Sequence, residues 1–457
     1  MPLDRRSVLS AGLGAGLGLS AAAAHAGPRN DRETARLAAA ELPSAAELGL
    51  KAGAAHDQSA ALQAAIDQAA GRGAPLLLPP GRFRTGMLQL RPGTRLLGTA
   101  RTTTLEFIGG PAFLTGEGDG ITLQGLVLDG AYQRLDPEQA DGLLSLKKAR
   151  ALTLRDLEIS RSVSNGISLQ GCAGEVSDCT VTAALQAGIR SLDAAGLQVL
   201  HNRVADCANN GIQIWRSQPG EDGSIVAGNR VERIRTDGGG SGENGNGINV
   251  FRAGGVLVSG NRIIDCAYSA VRGNSSSNMQ IIANACARLG EVALYAEFAF
   301  EGALIASNLV DTAATGVSVT NFNDGGRLAI VQGNLLRNLF RREEEPQDKR
   351  GEGITVEADA AVTGNVIESA PTAGLVIGWG PYIREVVATG NLIRKTRVGI
   401  LVSSDPGAGA CLIANNMISG TVEGAIRAMD GAGNPVGPEL VNADGGKRLS
   451  VVGNLAV

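Results

Sequence analysis

The chain has 457 residues with a formal net charge of −4, and it holds 64 glycines against 8 Phe, 4 Tyr and 2 Trp. That balance, without a basic stripe, leaves no electrostatic footprint for nucleic acid. Beyond the N-terminus no apolar run of eighteen or more residues occurs, so no membrane span is expected in the mature form.

The first 26 residues read as an address. Asp4-Arg5-Arg6-Ser7-Val8-Leu9-Ser10 precedes a Gly/Ala/Leu-rich stretch that ends Ala24-His25-Ala26. This is a charged region, a weakly apolar region and a small-residue cleavage site, in order. It resembles a twin-arginine export signal: Arg5, Arg6 and Leu9 fit, whereas Asp4 and Val8 stand where Ser/Thr and Phe are more usual. The resemblance implies passage through the twin-arginine export machinery, cleavage after Ala26, and a periplasmic or secreted protein.

Residues 27–45 are polar and Ala-rich, a linker or N-terminal helix. Leu62, Ala65, Ile66 and Ala69 then fall on one helical face, with Asp57 as N-cap and Gly71 or Gly73 as the stop. Pro75-Leu76-Leu77-Leu78-Pro79-Pro80-Gly81-Arg82-Phe83 follows as a strand and tight turn. A helix that plugs the open end of a first coil meets the capping need of a solenoid, and residues 46–115 are assigned to this cap and the first coils.

From 116 to 457 the chain repeats itself. Gly228-Asn229-Arg230-Val231, Gly260-Asn261-Arg262-Ile263, Gly364-Asn365-Val366-Ile367 and Gly390-Asn391-Leu392-Ile393 are copies of one phrase, whose asparagines are mostly 23 to 32 residues apart. A second phrase, glycine-aliphatic-x-aliphatic, recurs between them at Gly166, Gly211, Gly247, Gly316, Gly353, Gly374 and Gly399. The period is that of solenoid coils, and the alternation is that of half-buried strands. Each coil therefore holds at least two short strands, one after the glycine and one after the asparagine. The leucine framework of leucine-rich repeats is missing, and Gly, Asn, Val and Ile stand where helical repeats need helix formers. Stacked at about 4.8 Å, the asparagines form an inward ladder that satisfies buried backbone groups, each tolerating a left-handed bend. Cys286 falls two residues after its asparagine, and Cys207 and Cys266 five after theirs, which are ladder positions for hydrophobes. Cys172 and Cys179 are spaced so that they could pair. No Cys/His spacing suggests zinc, so neither metal nor cofactor is expected.

The cap segment followed by these repeats resembles the pectate-lyase-like parallel β-helix proteins. With the leader included, the chain resembles the twin-arginine-translocated repetitive β-helix proteins. The resemblance implies an all-β, right-handed parallel β-helix with a short N-terminal helical cap. The better-known catalytic motifs of that superfamily are absent: no Asn-Thr-Asp, Gly-His-Gly, Arg-Ile-Lys or Arg-x-Pro-x-x-Arg occurs. Of the three histidines, His25, His56 and His201, none has a catalytic context.

Strand parity indicates where a site would lie. In the glycine strand the aliphatics point inward, so the residues between and after them point outward. One outward column then reads Gln213, Asn249, Arg272, Ser318 and Thr355, and the next reads Trp215, Phe251, Tyr295, Thr320 and Glu357. Farther along the same coils lie Arg216, Arg252, Asn274, Glu297, Asn321 and Asn323. Two long turns, Val231 to Gly247 and Leu336 to Gly353, border this strip and mark a binding surface.

Aromatic faces stack on sugars, while amides and arginines hydrogen-bond hydroxyls and carboxylates. Trp215, Asn249, Phe251, Arg252, Asn274, Thr320 and Asn321 are therefore candidate binding residues for a linear polysaccharide. Glu297 and Glu357, two coils or about 10 Å apart at their backbones, are the candidate acid and base. Arg272 or Arg252 would neutralise a uronate, and Tyr295 would serve as base in a lyase. An enzyme requires Arg272, Tyr295, Glu297 and Glu357 to converge in one cleft. A glycan-binding protein requires aligned aromatics and amides without them, and a structural solenoid requires the strip to be buried against another chain. Oligomeric state is left open.

Overall fold

The computed structural model describes residues 49–240, 242–342, 351–441 and 448–457. Arg5, Arg6, Ala26, the 27–45 segment and residues 343–350 of the second long turn lie outside the described residues.

The chain turns three times in each coil, and in the coil that begins at Leu257 the left-handed residues include Gly260, Asp265 and Ser275. Leu257–Ser259, Arg262–Cys266 and Val271–Asn274 form the strands of one coil. Each pairs in parallel with its counterpart one coil on: Met279–Ile282, Ala285–Leu289 and Val292–Glu297. Repetition builds a parallel β-helix with three faces, the first a sheet of 15 strands. That first face is the one the repeat phrases do not reveal. Several of its strands, such as Leu257–Ser259, bury a single central residue, whereas the longer Glu301–Ala306 and Arg327–Gln332 alternate.

Inside, like residues stack on like. Val231, Ile263, Cys286 and Val310 form one such ladder on the second face, and all are buried. Each buried aliphatic contributes about 1.5–3 kcal/mol, so the aliphatic stack supplies most of the stability of the fold. The six cysteines are buried and free, so Cys172 and Cys179 are not paired. Burial pushes the Cys179 and Cys207 thiols up to about 12, which keeps them protonated and inert.

The asparagines run down one inner corner. The Asn229 backbone N–H donates to Asn261 Oδ1 (2.9 Å), and Asn229 Nδ2 donates to the Val199 carbonyl (2.9 Å) and again to Asn261 Oδ1 (3.0 Å). The left-handed bend falls one residue earlier than the sequence suggests, on Gly228 (φ 67°), Gly260 (φ 62°) and Ala283 (φ 57°). Glycine precedes asparagine so often because that residue, and not the asparagine, carries the positive φ.

At the start of the stack, α1 (Ser59–Gly71) buries Leu62, Ala65 and Ile66. Gln58, not Asp57, occupies the N-cap position, although the Asp57 carboxylate still accepts the Ser59 N–H at 2.8 Å. The chain leaves the helix through Gly73 (φ 63°).

Asn308, 2% exposed, accepts the N–H of Asn284 (2.9 Å) and donates to the Ile281 carbonyl (2.9 Å). Asn308→Ala is expected to cost about 2–4 kcal/mol, because several buried groups lose partners at once. Asn454→Ala, at a half-buried position on the last rung, should cost under about 1 kcal/mol because water replaces the lost bonds. Urea unfolding of both variants is the check, and equal losses would refute the ladder as the internal bond of the fold.

Candidate functional site

The glycine strands form the third face. Pairing places Asn249, Arg272, Tyr295, Ser318 and Thr355 in one outward column. The neighbouring column holds Trp215, Phe251, Asn274 and Glu297, with Glu357 two coils beyond Glu297. Tyr295 thus belongs to the first column, not the second, and Asn274 and Glu297 take the second-column positions. That coil lacks the glycine that sets the phase, and Leu294, not Val292, pairs with Val271 as the first inward aliphatic.

These outward side chains are nonetheless covered: Arg272 is 7%, Tyr295 5% and Glu297 2% exposed. Part of the cover is the glycine-rich turn from Asp237 to Gly245. Tyr268 donates its hydroxyl proton to the Gly240 carbonyl (3.2 Å), Asn246 Nδ2 donates to that of Gly242 (2.8 Å), and Asn249 Nδ2 donates to that of Glu243 (3.0 Å). Gly242 (φ 142°) lies directly on Arg272, where an added Cβ would stand 1.3 Å from a guanidinium nitrogen.

Beneath the turn, Arg272 Nε donates to Glu297 Oε1 at 2.6 Å, and Asn274 Nδ2 donates to the same oxygen at 3.0 Å. A second carboxylate, Glu291, comes within 4.0 Å of the guanidinium, which also stacks over the Tyr295 ring at 5.3 Å. Burial opposes the charge on Arg272, but Glu297 and then Glu291 outweigh it, so its pKa moves up. Burial first, and the Glu297 charge second, push the Tyr295 phenol well above its usual value. At neutral pH Tyr295 is therefore a neutral phenol, a proton donor more readily than a base. On the opposite side, the left-handed turn at Asn321 (φ 72°) aims the Phe322 N–H at Glu357 Oε2, 2.7 Å away.

Arg272, Tyr295, Glu297 and Glu357 all line one cavity of about 470 Å³, together with Thr320 and Asn321. A second cavity of about 300 Å³ adjoins it through Arg272 and Phe298 and is lined by Trp215, Asn249, Phe251 and Asn274. Trp215 and Phe251 meet edge to face at 5.8 Å. Arg252 lines neither cavity; it stacks on Phe251 (4.6 Å) and donates to the Ser217 carbonyl (3.0 Å). Among the described residues, no group of three or more His, Cys, Asp or Glu is placed to hold a metal ion.

Six lining residues escape sequence reasoning: Phe298, Glu352, Val376, Gly378, Trp379 and Tyr382. Glu352 stands in register with Thr315 and Ala373, and a glutamate in a column of small residues was the available signal. Trp379, one of two tryptophans in the chain, sits in a Gly-Trp-Gly-Pro turn just past the strand Val366–Ile377. Strand parity says nothing about a turn.

The family model described as the right-handed beta helix region matches residues 142–335 and, overlapping, 226–385, together more than half of the chain. Similar solved structures include the N-terminal fragment of bacteriophage phi29 gene product 12. It is 14% identical, with 90% of this chain and 71% of that chain covered, at a TM-score of 0.53. The catalytic unit of an α-1,3-glucanase from Streptomyces thermodiastaticus is 13% identical over 91% of this chain and 69% of that one, at a TM-score of 0.48. The A-module of a mannuronan C-5 epimerase from Azotobacter vinelandii is 14% identical over 90% and 95%, at a TM-score of 0.37. No curated protein matches the sequence.

Gly242→Ala is expected to cost about 1–3 kcal/mol, since Arg272 is held by its carboxylates and cannot yield to the new methyl group. Gly431→Ala, with nothing within 4 Å of the added carbon, should stay within about 0.5 kcal/mol of the parent. Unfolding midpoints of the two variants decide it.

Proposed function

The chain belongs to the right-handed β-helix family, and from its groove we propose that it binds and cleaves a linear polysaccharide laid along the third face. The observation that carries this reading is the convergence of Arg272, Tyr295, Glu297 and Glu357 on one cavity, beside a second cavity walled by aromatic rings. The two cavities run parallel to the coil stack, which suits an extended chain. Trp215 and Phe251 would stack on sugar faces, while Asn249, Asn274, Thr320 and Asn321 would bond hydroxyls.

For cleavage, Glu297 is assigned as the base, because Arg272 and Asn274 both donate to its carboxylate and hold it in place. Glu297 takes a proton from water as the water oxygen bonds to the anomeric carbon. Glu357 gives a proton to the departing glycosidic oxygen as its bond to that carbon breaks. Arg272 positions Glu297, and Tyr295 donates to the substrate. A second reading, binding without cleavage, is favoured by the same ion pair, which leaves Glu297 with little unmet demand for a ligand.

Glu297→Gln and Glu357→Gln should each lower the rate of cleavage by about 10²–10⁴-fold with little change in affinity. Reducing-end assays and mass spectrometry on a polysaccharide panel make the comparison. Products gaining water indicate hydrolysis, and unsaturated ends indicate a lyase. Binding without any mass change would leave the second reading standing.

We further place the chain among the twin-arginine-translocated repetitive β-helix proteins, which makes it periplasmic or secreted. The division that goes with this is a leader (1–26), a linker (27–45), a cap with first coils (46–115) and the repeats (116–457). Support comes from Arg5-Arg6 ahead of a weakly apolar stretch and from the repeats that follow. Exchange of both arginines for lysine should hold the precursor in the cytoplasm. Fractionation of a tagged chain tests this, and unchanged export would refute the assignment.

A further inference from the structure

The groove does not run the length of the third face. Its outward column is polar through Tyr295, Ser318 and Thr355, then turns aliphatic at Val376 and Leu401. Both point away from the core, yet they are 3% and 2% exposed, and with Met429 they join an apolar cluster separate from the main one. One coil farther the column reaches Arg427, whose guanidinium donates to the Glu423 and Gly437 carbonyls, both at 2.7 Å. Pro435–Glu439 returns antiparallel on Ile426–Met429, the one antiparallel strand pair among the described residues. The turn between these strands is pinned by Asp430, whose Oδ1 accepts the N–H groups of Ala432 and Asn434, both at 2.9 Å.

A third cavity, of about 280 Å³, occupies this end. It adjoins the central cavity through Glu352, Val376 and Trp379, and Met429, Gly433 and Asn434 bound it on the far side. Two guanidinium groups line it. Arg341 is anchored through Nε to Thr372 Oγ1 (3.2 Å), and Arg397 through Nε to Glu423 (2.8 Å). At the other end the column stays polar past Arg272, through Asn249, Gln213 and Arg190. The groove is thus blind toward Met429 and continues toward the earlier coils.

We propose that the third cavity is a terminal subsite, so that the protein takes a polysaccharide by its end. The end sugar lies against Trp379 with its acceptor oxygens, a hydroxyl pair or a carboxylate, on Arg341 and Arg397. The remainder of the chain crosses Glu357 and Glu297 and leaves over Asn249. Cleavage then releases units of one fixed short length. The inference rests on the polysaccharide reading of the groove.

Binding stoichiometry separates the two. The full chain carrying Glu357→Gln is titrated calorimetrically with size-fractionated polygalacturonate, alginate, β-1,3-glucan and mixed-linkage β-glucan. End-on engagement gives one protein per chain at every length. A ratio that rises with chain length overturns the terminal subsite while leaving polysaccharide binding intact. Arg341→Ala in that background should weaken binding about tenfold with the unfolding midpoint unchanged, and unaltered affinity would also overturn the proposal. Preference for the two acidic polymers assigns the arginines to a carboxylate, and preference for the glucans assigns them to hydroxyls. No binding by any of the four removes the polysaccharide reading and this inference together.

Discussion

The coils from Asn202 onward are spaced by one hydrogen-bond pattern, the asparagine side chain that accepts its neighbour's backbone N–H and donates to a carbonyl of the coil before. From Asn202 to Asn454 it fixes one corner of each coil directly above the last. With that corner fixed, strands of adjacent coils fall into register and side chains align in columns about 4.8 Å apart. A one-residue slip would turn every aliphatic outward, so the corner specifies register as well as adding stability. The corner between second face and third carries a shorter version of the same device, in which Asn210 Oδ1 accepts the Asn246 N–H (3.2 Å) and Asn246 Oδ1 that of Ser269 (3.3 Å). That is where the long turns are inserted, and the Asp237–Gly245 turn folds over the groove.

The groove departs from the solenoid rule that outward residues meet water. Arg272, Tyr295 and Glu297 point outward and are buried all the same. A guanidinium in such a place costs several kcal/mol in lost hydration, and only close carboxylates offset that cost. Aliphatic residues would fill the same positions more stably, as Val376 and Leu401 do three and four coils beyond Tyr295. Charged residues held against the local rule are the mark of a site, because stability is given up there for chemistry.

How much of this could be read from the sequence follows from periodicity. Inward positions repeat, so the strands of the second and third faces, the cap helix and the ladder role of Cys286 were all legible. The first face was not, since neither repeat phrase covers its strands, which range from the two-residue Leu76–Leu77 to the six-residue Glu301–Ala306. Counting along strands reaches the pair Glu297 and Glu357, although Ala293, in place of the phase-setting glycine, puts Tyr295 in the wrong column. Glu352, Trp379 and Tyr382 lie at a strand edge or in a turn, where side-chain direction depends on loop geometry. Gly242 could not be singled out among its glycine neighbours, because only the fold brings Arg272 beneath it.

Arg272 is central to the cleft, and its bonding decides what it can do for a ligand. An acidic sugar that drew Arg272 away from Glu297 would leave a carboxylate that is 2% exposed with Asn274 as its remaining side-chain donor. The loss of a charge-assisted bond in a buried site outweighs the gain of a similar bond to a ligand that must itself be dehydrated. Arg272 therefore serves Glu297, holding its carboxylate in place, and is poorly suited to reading substrate charge. Arg341 and Arg397, nearer to solvent and anchored through Nε, carry no such penalty. On the proposed reading, chemistry and recognition are divided between two ends of one groove, with Trp379 lining both cavities between them.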